Sequence, residues 1–292
     1  MKNIHIEKVA IVGIGLIGGS IAMAMRKHLG SKVTILGLSS TSKKAQIAHK
    51  HNIIDRALTS LKDIPQDIDL VVLSTPIVTN IKLLKSLKKL TTSKQIIIDV
   101  GSTKEMICRE AVKLDLRNFI GTHPMAGNET SGLGNADPDL FQNKPWIICP
   151  DSQTDKSKIT FLKNFITSLG AKPFILNSKA HDRIAALSSH IFLIMSSILV
   201  NATSKNNWDK ISQIASTGFK DTTRLASHSP NMKKEIILTN KMNIQKALKS
   251  LSAEIELFSS LLKDDEENKI MNYFQQAKSV RDDWLNKYSI NT

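Results

Sequence analysis

A chain of 292 residues, 41% hydrophobic and 23% charged, has the length for two domains and the composition of an ordinary globular protein. Its formal charge of +14 suggests nucleic acid or an anionic membrane as partner, yet the lysines are scattered as singles and pairs with no basic block, so we read them as solvated surface that also attracts anionic small molecules. The two cysteines, Cys108 and Cys149, have neither CxxC nor metal-ligand spacing, so no metal is expected and a reducing cytoplasm is the default.

Lys2 followed by apolar residues mimics a secretory leader, but Gly13, Gly15, Gly18 and Gly19 would break its helix. The first strand, Lys8–Val12, starts almost at once, so no transit peptide is expected. A helix is expected over 16–28, a strand over 32–38, a helix near 42–51, a strand over 70–74, a helix to about Leu90 and a strand over 95–100. The runs 119–123, 146–149 and, after another helix, 173–176 continue the series. Near-continuous apolar strands alternating with helices predict a parallel sheet covered on both faces.

Beyond Asn177 strand-like runs vanish, and helical periodicity takes over at 179–203, 231–263 and 265–288. Leu248, Leu251, Ile255, Phe258, Leu261 and Leu262 recur at three- and four-residue spacing, a stripe expected to be buried and of the kind that pairs subunits. The longest apolar stretch, 191–200, is interrupted by Ser196 and Ser197 and is too short to cross a bilayer, so no membrane partner is expected. The fold class predicted is an α/β Rossmann-type nucleotide-binding domain over 1–176 followed by an all-α dimerisation domain over 177–292.

"VAIVGIGLIGGS" sets Gly13, Gly15 and Gly18 in G-x-G-x-x-G spacing directly after a strand and at a helix start. The first glycine permits the tight turn, the second admits a pyrophosphate to the backbone, and the third lets helix and strand pack closely. Leu16 and Ile17, between the last two glycines, are assigned to the same dinucleotide site. The second strand then ends "ILGLSS", with Ser39 and Ser40 where an NAD-binding fold usually carries an acid for the ribose hydroxyls. Lys43 and Lys44 follow. Hydroxyls and ammonium groups accept a ribose 2′-phosphate that a carboxylate would repel, so NADP is expected to be preferred over NAD.

Four further stretches hold residues that could do chemistry. "DVGSTK" brings Ser102 to the carboxyl edge of the sheet, where ligands bind in open α/β folds, and "IGTHPMAGNETSG" ends the next strand in His123 near the same edge. "HDRIAALSSH" sets His181 at a helix start and Ser189 and His190 within it, and "GFKDTTR" contributes Arg224. Read singly, His123 could be a hydrogen-bonded strand-end residue, Ser102 the cap of the next helix, Arg224 a surface ion pair and His181 a helix-start residue without a chemical role.

Taken in order, the set resembles the prephenate/arogenate dehydrogenase family, the cyclohexadienyl dehydrogenases of tyrosine biosynthesis. The matching elements are GxGxxGG, the Ser-Thr-Pro of Ser74, Thr75 and Pro76 after the next strand, D-x-x-S-x-K, G-x-H-P-x-A-G, HD…SH and GF[RK]D-x-[ST]R, running from Val9 to Arg224. The resemblance implies oxidative decarboxylation of arogenate or prephenate to tyrosine or 4-hydroxyphenylpyruvate, with hydride transfer to NADP or NAD. It also implies a homodimer through the C-terminal helices. It makes His123 the base or hydrogen-bond acceptor at the substrate hydroxyl and Ser102 the residue that positions it and the nicotinamide. Arg224 becomes the carboxylate clamp, Glu129 its acidic partner, and His190 with Ser189 a second substrate contact. Ser74, Thr75 and Pro76 join the cofactor site.

Two positions depart from the family pattern. Ile191 and Phe192 follow His190 where Leu-Pro is usual, and Asn128 stands where Thr is frequent. The serine-bearing cofactor site and compact length lean toward arogenate. No effector domain is expected after the last helices, which leaves inhibition by tyrosine to the active site. A β-hydroxyacid or imine-type dehydrogenase shares the layout but relies on a helical-domain lysine instead of H-P-x-A-G. A non-catalytic dinucleotide sensor would keep the glycine turn and need neither His123 nor Arg224.

Overall fold

Strands that can expose neither face set the centre of the molecule. The computed structural model describes residues 6–128, 130, 132–263 and 266–288. In chain order it contains β1 (Lys8–Val12), α1 (Leu16–Leu29), β2 (Thr34–Leu38), α2 (Ser42–Lys50), β3 (Arg56–Leu58), β4 (Leu70–Leu73), α3 (Ile77–Leu90), β5 (Ile96–Asp99), α4 (Glu105–Lys113), β6 (Phe119–Pro124), β7 (Pro145–Cys149), α5 (Lys156–Ser168) and β8 (Lys172–Ile175). All residues of β4, β5 and β6 are buried. Along β1, Val9 and Ile11 enter one apolar cluster with Ile21 and Met25 of α1 and Phe165 of α5. Ala10 and Val12 enter the other, with Leu84 of α3 and Ile107 of α4. That alternation is the two-residue period of a strand with helices on both faces.

The sheet order is β3-β2-β1-β4-β5-β6-β7-β8, so the chain reverses its direction of growth after β3. The crevice at such a reversal, beyond the carboxyl ends of β1 and β4, is where ligands bind in open α/β sheets. One expectation needs correction. The sheet is not wholly parallel, because β7 runs antiparallel to β6, with His123 opposite Ile147. The connection between them carries only a 3-10 turn, Leu133–Asn135, among its described residues. With no helix to return the chain to the starting edge, the next strand must come back antiparallel. The edge strand β3, too short to show a period, was also not foreseen.

Two compact units divide the chain, Met1–Lys241 and Met242–Thr292. Besides the sheet, the larger unit contains α6 (Ser178–Ala185), a π-helical turn (Ala186–His190), α7 (Ile191–Ser204), α8 (Trp208–Ile214), α9 (Thr217–Thr223) and α10 (Pro230–Thr239). The π turn joins α6 to α7, so Ser178–Ser204 is one run of 27 residues with mean hydropathy 1.8, long and apolar enough to span a bilayer by length and composition. The expectation built on 191–200 counted only its most apolar part. The run is a wall of the larger unit: His181, Asp182, Ala185, Ala186, His190 and Ser196 are all buried.

The smaller unit consists of most of α11 (Lys241–Lys263) together with α12 (Glu267–Tyr288). Phe258 packs against Tyr273 and Phe274 at ring distances of 5.4 and 5.6 Å. The stripe expected to be buried on α11 is only partly covered within the chain: Leu248, Leu251, Phe258 and Leu261 are half-buried, while Ile255 is 55% and Leu262 58% exposed. Two helices side by side bury only the stripe where they meet, and a second apolar face stays outside.

Candidate active site

At the head of α1 the backbone closes so tightly on β4 that side chains are excluded. Gly13 has φ +107°, and a Cβ there would stand 2.6 Å from the Ser74 carbonyl; one on Gly18 would stand 2.2 Å from the Gly13 carbonyl oxygen. The Ser74 hydroxyl donates to that same oxygen at 2.7 Å, so this side chain locks the turn as well as lining the cleft. At Gly15, which caps α1, an added Cβ would meet no protein atom and would project into open space. A cleft of about 290 Å³ lies here, lined by Gly13, Gly15, Ser39, Ser40, Ser74, Thr75 and Pro76, with Lys44 from the first turn of α2. Bare backbone at a helix N-terminus, facing an open cleft, fits a dinucleotide pyrophosphate. No carboxylate is among the described residues that line it.

A second cleft, about 440 Å³, brings together Leu16, Ile17, Ser102, His123, Asn128, Ser189 and Arg224. β6 delivers His123: Asp99, the last residue of β5, pairs with Gly121, so His123 projects two residues beyond its neighbour's end. Ser102 follows in the β5–α4 loop, Ser189 comes from the π turn, and Arg224 stands just after α9. His190 does not line this cleft. It is 1% exposed and borders a separate cavity of about 140 Å³ with Lys233 and Ser197. Its Nδ1 lies 3.1 Å from the Asn240 amide nitrogen, and its Nε2 is buried without a hydrogen-bond partner among the described residues. Glu129 lies outside the described residues.

Ser102 does not cap α4; the cap comes from another helix. The backbone N–H groups of Lys104 and Glu105 donate to the two carboxylate oxygens of Asp182 at 2.7 and 2.9 Å. Asp182 Oδ1 also lies 2.8 Å from His181 Nδ1, and His181 Nε2 lies 2.9 Å from His123 Nδ1. A continuous chain thus joins the strand-end imidazole to a carboxylate at the head of α4. Asn240 donates to the Asp182 carbonyl at 2.7 Å and completes the enclosure. His181 and Asp182 are 1% and 0% exposed. His181 is thus more than a helix-start residue, and Asp182, present in the sequence only as part of the His-Asp pair, is the cap of α4.

Behind His123, Lys104 and Asp99 form an ion pair with both side chains wholly buried. Asp99 also accepts from Gly101 N–H at 2.9 Å, its carbonyl accepts the Thr122 hydroxyl at 2.6 Å, and Trp146 donates to that hydroxyl at 3.0 Å. Burial, reinforced by His181 and Lys104, pushes the pKa of His123 well below 6.5. Burial likewise pushes His190 down to about 4, against the pull of Asp182. Both rings are therefore neutral at pH 7.

A stability prediction follows from the sign of these shifts. Between pH 6.5 and about 4 the unfolded chain binds a proton at His190 that the folded chain refuses. Stability is fully present above pH 6.5 and falls through that window, by about 3 kcal/mol from His190 alone. Urea midpoints measured from pH 7 to 4.5 should decline, and less steeply in His190→Gln; equal slopes for the two proteins would refute this.

Comparison with known proteins places the whole chain in one family. The family model described as prephenate dehydrogenase, nucleotide-binding domain, covers residues 21–175. The one described as prephenate dehydrogenase, dimerization domain, covers 177–276. The chain is 32% identical over 282 residues to a prephenate dehydrogenase of Bacillus subtilis, spanning 94% of this chain and 76% of that protein. Among solved structures, prephenate dehydrogenase from Aquifex aeolicus in complex with hydroxyphenyl propionate and NAD+ superposes with a TM-score of 0.90 at 28% identity, covering 97% of this chain and 99% of that one. Synechocystis arogenate dehydrogenase does so with a TM-score of 0.82 at 27% identity, covering 95% and 99%. The chain belongs to the prephenate dehydrogenase family.

Proposed function

We propose that this protein oxidises and decarboxylates arogenate, prephenate or both, yielding tyrosine or 4-hydroxyphenylpyruvate. The observation that supports this best is the meeting, on one cleft beside the dinucleotide turn, of a neutral imidazole (His123), a hydroxyl (Ser102) and a guanidinium (Arg224). A bound nicotinamide dinucleotide would supply the hydride acceptor. Everything else is work for the chain. Arg224 grips a substrate carboxylate through paired hydrogen bonds. His123 accepts the hydrogen bond, and transiently the proton, of the ring hydroxyl as the C4–H electron pair leaves. The ring carboxylate departs as carbon dioxide, its bonding pair completes the aromatic ring, and the phenol oxygen keeps or recovers its proton. No net proton is released, so the base needs no route to solvent, which suits a residue only 7% exposed.

Ser39, Ser40 and Lys44 on a cleft without carboxylates support a preference for NADP. We expect kcat/KM with NADP to exceed that with NAD by about tenfold, the worth of one charge-assisted hydrogen bond. The exposed face of α11 supports a homodimer, and two free thiols support a cytoplasmic location. The decisive assay follows reduced nucleotide formation from arogenate, prephenate and a panel of 3-hydroxy acids with each cofactor. Turnover of the hydroxy acids alone would overturn the reading, and an advantage for NAD would overturn the cofactor preference.

A further inference from the structure

The chain His123–His181–Asp182 raises a question of proton placement that its geometry answers. Asp182 accepts two backbone N–H groups, one on each carboxyl oxygen, at the start of α4, where the helix dipole favours negative charge. A carboxylate 2.8 Å from His181 Nδ1 requires the hydrogen on that nitrogen. In a neutral His181 ring Nε2 is then a lone pair, and His123 Nδ1, 2.9 Å away, carries the hydrogen that fills it. The only basic atom left on His123 is Nε2. Without His181 nothing would hold the hydrogen on Nδ1: molecules with the hydrogen on Nε2 would present an N–H donor to the substrate hydroxyl, and an imidazolium formed at His123 would lose the acceptor of its Nδ1–H.

We propose that His181, oriented by Asp182, is a positioning residue that holds His123 in the Nδ1–H tautomer, so that Nε2 serves as the acceptor for the substrate hydroxyl. This rests on the dehydrogenase reading above. When Nε2 takes the hydroxyl proton, His123 becomes an imidazolium. Its Nδ1–H stays in place, donating to His181, and His181 Nδ1–H stays donating to Asp182. No second proton moves; the positive charge faces a fixed dipole backed by a carboxylate. The stored proton returns from Nε2 to the phenolate oxygen.

The first test needs no turnover. ¹⁵N-histidine spectra of the wild-type protein at pH 7, with His123 assigned by its loss in His123→Asn, should show a protonated Nδ1 and an unprotonated Nε2. A protonated Nε2 would overturn the proposal even if arogenate or prephenate is turned over. The second test is kinetic. His181→Leu removes the acceptor and should lower kcat by about 10²-fold, the lower end of what a positioned base supplies, with KM within about twofold. His181→Gln, whose amide oxygen can accept from Nδ1–H, should recover at least tenfold of that loss. Equal kcat in the Leu and Gln variants, or a loss carried by KM, would assign His181 a packing role only. Absence of wild-type turnover with either substrate would instead refute the proposed function and leave the tautomer result standing.

Discussion

His123→Asn is expected to lower kcat by about 10²- to 10⁴-fold, the range a positioned general base supplies, while cofactor affinity stays near wild type. Asn is smaller but polar, and it can still donate a hydrogen bond toward His181 Nε2, so the polar chain behind the strand keeps its first link. What it lacks is a basic nitrogen. The two clefts share no lining residue, and His123 belongs to the one that holds Ser102 and Arg224, which touches the glycine turn only at Leu16 and Ile17 and leaves the bare backbone of Gly13 and Gly15 to the other. Calorimetric titration with NADP should therefore give nearly the same affinity for variant and wild type, while turnover of arogenate and prephenate collapses. Unchanged turnover would favour a dinucleotide-binding protein that does not use this imidazole. Because burial pushes the pKa of His123 well below 6.5, wild-type kcat/KM should show no acid limb attributable to this ring near neutral pH.

Local features were legible in the sequence because they follow from local chemistry. The glycines at 13, 15 and 18 determine a turn whatever surrounds it, and runs such as "LVVLS" and "QIIIDV" announce strands buried on both faces. The reversal of β7 was not legible, because it follows from the lack of a returning helix among the described residues of 125–144. The stripe on α11 was legible as apolar, but what covers Ile255 and Leu262 was not, since periodicity reports which residues avoid water and not what lies against them. The roles of His181 and Asp182 were not legible because they depend on α6 crossing the head of α4, a tertiary event with no signature in either segment. The missing proline after His190 also has a structural counterpart. The helix widens by a π turn at Ala186–His190, and such turns recur at functional sites without needing proline.

Lys104→Met is expected to destabilise the fold by about 3–5 kcal/mol, the cost of leaving a buried charge without its partner. Lys104 and Asp99 are both wholly buried, and the Asp99 carboxylate has no water to turn to once the ammonium is gone. Two backbone donors remain to it, Gly101 N–H at 2.9 Å and Thr122 N–H at 3.3 Å. They offset part of the charge and cannot neutralise it. Relief should come from the double variant Asp99→Asn, Lys104→Met, which removes the charge together with its partner and should recover at least half of the loss. The surface pair Lys113–Glu110, at 3.5 Å with both side chains open to solvent, sets the contrast, because Lys113→Met should shift stability by less than about 1 kcal/mol. Urea denaturation of the four proteins would decide. If the buried and surface replacements cost the same, the ion pair contributes no more than packing. If the large difference appears, the pair is what fixes the end of β5 against β6: the Asp99 carbonyl holds Thr122, whose hydroxyl anchors Trp146, and the next residue along the strand is His123.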